Sequence, residues 1–285
     1  MGKRLDFMLF PGGKNRAMTF SYDDGVVQDR RLVELFNRYH VKGTFNLNTA
    51  TLGIQAEANF GGKHMDISKV SPEEVATLYE GHEVGGHSLC HSSLPNIGTS
   101  LAMHELVEDR ISLEKLSGKM VRFFAYPFGT YNEDVKQLVR MAGYMGARTV
   151  VSTHTFEIPQ DFMEWHATCH HNDPQLMELA KQFCEGRVFP GSLFYLWGHA
   201  YEFDGDNNWN VIEEFVKYVS QFSQEIWFAG NTEIADYVTA FRQRVYSADG
   251  RKIYNPTATE LWLLVGQKTY NIPAGATIEV EDPGL

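Results

Sequence analysis

Two adjacent aspartates close the segment Thr19-Phe20-Ser21-Tyr22-Asp23-Asp24-Gly25. Neighbouring carboxylates repel when both are ionised. A bound cation relieves that repulsion, leaving one carboxylate as a ligand and the other free to take a proton. Alone, Asp-Asp-Gly reads as a turn; the pair gains meaning from His87 and His91 in Gly85-Gly86-His87-Ser88-Leu89-Cys90-His91. If 88–91 turns helically, the four-residue spacing puts both imidazoles on one side, where they can share an ion. One carboxylate, two imidazoles and an open position describe a hydrolytic site for one divalent ion, zinc first, with cobalt, nickel or manganese as alternatives. His199, in Leu196-Trp197-Gly198-His199-Ala200-Tyr201-Glu202, has apolar neighbours and suits a general acid protonating a departing amine; on its own it would be an ordinary loop histidine.

These residues need elements that bring them together. Short apolar runs alternate with segments of helical period, the pattern of parallel strands joined by crossover helices. Strands are expected at 17–22, 43–47, 83–86, 123–126, 147–152, 192–197 and 225–229. Helices are expected at 31–39, 71–80, 101–116, 132–142, 174–185, 209–221 and 232–246. Ser71, Pro72, Glu73 and Glu74 supply an N-cap, a first-turn proline and acidic residues for the second helix, and Gly81 stops it. Seven strand-plus-helix units predict an α/β fold, an incomplete (β/α)7 barrel over residues 1–246, with an open doubly wound sheet as the alternative. In such barrels catalytic groups gather at the carboxyl ends of the strands, where Asp23, Asp24, His87, His91 and His199 all fall. Residues 247–285 read as a small antiparallel β appendage with strand candidates at 252–254, 259–265, 268–272 and 277–280, suited to packing or an accessory role.

The motif Thr19 to Gly25, His87-Ser88-x-x-His91, Tyr126-Pro127-Phe128-Gly129 and a late strand closing on His199 occur in the order used by the polysaccharide deacetylase family, carbohydrate esterase family four, which the chain resembles over about residues 17–246. The resemblance implies a distorted barrel around one divalent metal and hydrolysis of acetyl groups, most often N-acetyl groups on amino sugars. It implies Asp24, His87 and His91 as metal ligands, Asp23 as the base, the Phe128 N–H as oxyanion donor and His199 as the acid on the leaving amine. It makes Trp165 the tryptophan of the acetyl pocket. Tyr126, Pro127, Trp197 and Glu202 are further candidate substrate contacts.

The sequence also departs from the family pattern. Ala125 stands where most members carry an arginine two residues before the proline, orienting the catalytic aspartate. Arg148 either reaches the same carboxylate from the next strand or is a solvated surface residue. Glu202 orients His199, binds a sugar hydroxyl or is a plain exposed carboxylate. His170 and His171, adjacent in sequence, should splay apart, which disfavours a second metal there.

Composition narrows the partners. Asp and Glu number 36 against 25 Lys and Arg, a net charge of −11, with no basic run, so nucleic acid is not an expected partner. Apolar runs such as 193–197 and 261–265 fall short of the roughly 20 residues a membrane span needs. The apolar stretch 7–10 is too short for a signal-peptide core, giving a cytoplasmic expectation with a processed secreted form as the alternative. Three cysteines, Cys90, Cys169 and Cys184, read as reduced thiols. The expected substrate is a carbohydrate or another small acetylated compound. The alternatives are hydrolysis of cyclic amides or O-acetyl esters on the same fold, or carbohydrate binding without catalysis.

Overall fold

The strand Arg16–Asp23 is buried at every residue after Arg16, the mark of a parallel strand covered on both faces. In the computed structural model, which describes residues 6–60 and 62–281, this strand is the spine of a nearly closed parallel barrel. One edge pairs along its length with Ser192–Gly198. The other edge is shared, with Ile226–Phe228 against its first residues and Gly43–Leu47 against its last. From there the sheet runs in parallel through Glu83–Gly86, Phe123–Ala125, Gly146–Ser152 and Trp165–Ala167. Cys169–His170, immediately beyond, pairs with Ser192–Gly198 and all but completes the ring.

The barrel is thus the distorted one expected, with one exchange of parts. Residues 165–170, given no strand in the sequence expectations, fill the place between Gly146–Ser152 and Ser192–Gly198. The last predicted strand, 225–229, spans only Ile226–Phe228 and is wedged beside the start of Arg16–Asp23. Three residues can pair with only part of that eight-residue strand, so the carboxyl half of its edge stays open to Gly43–Leu47.

Amphipathic helices cover the barrel. Asp29–Arg38 buries Leu32, Val33, Leu35 and Phe36, and Glu133–Met141 starts at Asn132, whose side chain accepts from the Val135 N–H at 2.8 Å. The helix expected at 71–80 is shorter, a 3₁₀ turn Pro72–Glu74 leading into Val75–Leu78, though the Ser71/Glu74 capping box forms. The final helix, Asn231–Arg242, ends before 246 because Val245–Tyr246 turns extended and pairs with Lys252–Tyr254.

Two elements lie outside the sequence expectations. Asp6–Leu9 pairs antiparallel with Leu261–Val265, which pairs with Lys268–Ile272, so the chain's two ends share one sheet. Leu261, Leu263 and Ile272 pack in one core with Phe10, Tyr237 and Trp165. A hairpin, Glu57–Phe60 with Lys63–Asp66, follows Gly43–Leu47. It leans on the short helix Tyr201–Gly205: the Met65 side chain packs directly against Gly205, where a Cβ would displace it, and Lys63 pairs with Asp206. No helix among the described residues is long and apolar enough to cross a membrane.

Candidate active site

A cavity of about 590 Å³ opens at the carboxyl ends of the strands. Asp23 and Asp24 reach it from the end of Arg16–Asp23, His87 and His91 from the turn after Glu83–Gly86, Phe128 from the turn after Phe123–Ala125, and His199 from the end of Ser192–Gly198. The backbone there is held in conformations that L-residues avoid: Asp24 (φ 81°), Ser88 (φ 63°), His91 (φ 58°) and Phe128 (φ 58°) are four of the seven positive-φ non-glycine residues described. Each such residue costs on the order of 1–3 kcal/mol, so surrounding bonds must impose the shape. Asn48 donates to the His87 and Ser88 carbonyls, and Asp109 accepts from the His87 N–H at 3.2 Å and from the Thr49 N–H at 2.9 Å. Glu105, on the same helix as Asp109, accepts from the Cys90 N–H at 2.9 Å.

Asp24, His87 and His91 converge. Asp24 Oδ1 lies 3.9 Å from His87 Nε2 and 3.7 Å from His91 Nε2, and one donor atom from each residue falls within 4.8 Å of the others. His87 Nδ1–H donates to the Ala125 carbonyl at 2.7 Å, so its other nitrogen presents a lone pair to the cluster. Burial pushes the imidazoles of His87 and His91 down, His91 to about 4, helped there by His87. Neutral imidazoles and an ionised carboxylate are the forms that bind a metal, so this donor set fits one divalent ion.

Asp23 Oδ2 also lies 3.9 Å from His87 Nε2, but both of its oxygens have hydrogen-bond partners of their own. Its Oδ1 accepts from Asn46 Nδ2 at 2.8 Å, and its Oδ2 takes the guanidinium of Arg148, a fully buried side chain. Burial would raise the Asp23 pKa, but Arg148, His87, His199 and the Asn46 bond outweigh it and hold the carboxyl at about 2. Arg148 is therefore no surface residue. Its register partner on the neighbouring strand is Ala125, the position vacated by the family's arginine.

His199 faces Asp23 from the carboxyl end of the neighbouring strand, Nε2 to Oδ2 4.0 Å. Its Nδ1–H donates to Glu202 Oε1 at 3.2 Å. Burial works against its protonation, yet Glu202, Asp24 and Asp23 together raise its pKa. Glu202 Oε2 also lies 2.8 Å from His171 Nε2 and 3.2 Å from His170 Nε2. The two neighbouring histidines do not splay apart as expected, because the chain turns directly after the strand Cys169–His170 and aims both at one carboxylate.

The other expected substrate contacts divide. Tyr126 and Trp197 line the cavity. Trp165 does not: it is 1% exposed and packs edge-on against Phe123, Phe162 and Tyr195, since the strand Trp165–Ala167 turns it into the core. Pro127 is buried within its turn, and Glu202 stands behind His199 rather than on the wall. The Phe128 ring sits at the rim, edge-on to His91 at 4.3 Å. The turn's closing bonds are made by the Gly129 and Thr130 N–H groups, so the Phe128 N–H takes no part in them. Sequence reasoning missed Asn46, Asn48, Lys69, Asp109 and Val150. Only Asn46 and Asn48 carried a signal, as polar residues at the end of an otherwise apolar strand.

A parallel barrel whose strand ends bring together two imidazoles, an ionised carboxylate and a second, separately held carboxylate defines a hydrolase-type site. Residues 11–147, just under half of the chain, match the model of the polysaccharide deacetylase family, a family of hydrolases acting on N-acetyl amide bonds. No curated protein matches the sequence. Among solved structures, a Mycobacterium smegmatis protein whose name places it with the polysaccharide deacetylases is 18% identical, with a TM-score of 0.61 over 83% of this chain and 94% of its own. The Xyl-CE4 domain of a multidomain xylanase from the hindgut metagenome of Trinervitermes trinervoides is 16% identical, with a TM-score of 0.51 over 80% and 92%. At these identities the likenesses speak for the fold.

Proposed function

We propose that the chain is a divalent-metal-dependent deacetylase that removes the acetyl group from an N-acetylated sugar or short saccharide. The observation that carries this reading is the division between adjacent aspartates: Asp24 groups with His87 and His91, while Asp23, though itself 3.9 Å from His87 Nε2, is bonded to Arg148 and Asn46. An ion held by Asp24, His87 and His91 would act as a Lewis acid, polarising the acetyl carbonyl and acidifying the attacking water.

The remaining steps belong to the chain. Asp23, kept ionised by Arg148, takes the proton of the attacking water. The Phe128 N–H donates to the oxygen that gains charge in the tetrahedral state. His199, whose raised pKa keeps a proton available near neutrality, delivers it to the departing nitrogen, and Glu202 fixes which ring nitrogen carries it. Base and acid thus face the reacting centre from different strand ends. Tyr126 and Trp197 supply apolar walls that exclude water from the acetyl group.

The test is acetate release by purified protein supplied with N-acetylglucosamine oligomers, acetylxylan and cyclic ureides in parallel. The reading expects turnover of the oligomers, abolished by a chelator and restored by zinc or cobalt. Ring opening of the ureides without acetate release would assign the site to cyclic-amide hydrolysis instead.

A further inference from the structure

Among the described residues that line the cavity, Lys69 is the one charged side chain that the proposed mechanism does not use. It follows the hairpin 57–66, and its backbone is pinned by a bridge to Val26 and by donation from its N–H to the Ile54 carbonyl at 2.9 Å. Its side chain is 13% exposed, and Nζ lies 3.8 Å from Asp24 Oδ1, too far for a good hydrogen bond. The nearest walls are apolar or aromatic, including Ile67 and Tyr201. A largely buried ammonium needs a charged partner. Asp24 serves as that partner only while its charge is not engaged by an ion shared with His87 and His91.

The charges around the cavity sharpen this point. Asp23, Asp24 and Glu202 face Arg148, Lys69 and the protonated His199, three negative charges against three positive. A divalent ion on Asp24, His87 and His91 would leave an excess of two positive charges, with Lys69 among them. The chain's overall charge of −11 does not cancel this locally, because surface charges are screened beyond about 8 Å at physiological salt.

Resting on the deacetylase reading above, we infer that Lys69 is a specificity residue that binds an anionic substituent of the substrate, so that the preferred substrate is a small N-acetylated sugar carrying a carboxylate. Substrate anion and metal then bind cooperatively, each relieving the charge imbalance the other leaves.

Two measurements test this. In the first, kcat/KM is compared for N-acetylglucosamine, its C6-oxidised uronic acid and its 6-phosphate, using the wild type, Lys69→Met and Lys69→Arg. The wild type should prefer the uronic acid to the neutral sugar by about tenfold or more, Lys69→Met should remove the preference, and Lys69→Arg should keep part of it. A preference confined to the phosphate ester would move the assignment from carboxylate to phosphate. Equal rates on all three, or a uniform loss in Lys69→Met, would overturn it. In the second, zinc is titrated calorimetrically into metal-free protein with and without the uronic acid. Lys69→Met should bind zinc about tenfold more tightly than the wild type, and the uronic acid should strengthen zinc binding in the wild type alone. If the wild type deacetylates none of the three sugars, the functional reading fails, while the calorimetry still decides on Lys69: no effect of the anion on zinc affinity refutes its role.

Discussion

Arg148→Ala strips Asp23 of the cation that faces it. Arg148 is fully buried, donates to Asp23 and to the Thr149 carbonyl at 3.1 Å, and lies over the Trp197 ring at 4.3 Å. Its removal leaves a buried carboxylate with Asn46 as its remaining close donor. Breaking a buried pair in this way costs about 3–5 kcal/mol. At roughly 2–4 °C per kcal/mol for a chain of this size, Tm should fall by roughly 6–20 °C. Because Asp23 is the proposed base, kcat should drop about 10²–10³-fold with a smaller change in KM. A second variant separates position from charge. Ala125 pairs with Arg148 in register, and residues paired across parallel strands point to the same face, so Ala125→Arg in the Arg148→Ala background returns a guanidinium to the same row of the barrel. It should recover at least about tenfold in kcat and part of the lost Tm. Thermal melts and acetate release on N-acetylglucosamine oligomers measure both. Wild-type turnover in Arg148→Ala, or a double variant that regains Tm without any rate, would refute the reasoning.

Three further outcomes follow from particular contacts. Glu202→Gln keeps the side chain's shape but removes the charge facing His199, and should lower kcat about 10–100-fold at nearly constant KM, read by steady-state kinetics. Gly85→Ala drives a methyl group into the Asn46 amide oxygen, displacing the side chain that anchors Asp23, and should cost at least about tenfold in kcat while the protein stays folded by circular dichroism. Asp29 is fully buried, accepts from the Tyr79 hydroxyl at 2.7 Å, and is pushed up to about 8, chiefly by burial. Its protonated form is favoured in the folded state, so its contribution is complete below about pH 4 and is lost as pH rises through 8, by up to ~5 kcal/mol. Denaturant melts from pH 5 to 9 should show this decline in the wild type and a flatter profile in Asp29→Asn.

What was legible in the sequence follows from which signals are local. Strand ends carrying Asp-Asp-Gly, His-x-x-x-His and Gly-His are set by short-range patterning, so the converging residues could be named in advance. Gly43–Leu47 and Glu83–Gly86 have the expected bounds for the same reason. Long-range pairing left no such trace. Asp6–Leu9 finds its partner some 250 residues away, and residues 165–170 become barrel strands only because the ring has a gap of their width. Trp165 and Trp197 show the same limit within the site. Both are tryptophans near strand segments, and only the pleat decides that Trp197 faces the cavity while Trp165 faces the core. Arg148 was readable as a candidate, but its pairing with Asp23 depends on the register of neighbouring strands.

The measurement that bears most directly on the central claim is calorimetric titration of metal-free protein with zinc, across the wild type, Asp24→Ala, His87→Ala, His91→Ala and Asp23→Asn. One ion per chain is expected in the wild type and in Asp23→Asn, with binding weakened by orders of magnitude in the other three and turnover lost in Asp23→Asn despite its bound ion. Zinc uptake that ignores Asp24, His87 and His91, or that disappears with Asp23 instead, would contradict the division between ligand and base.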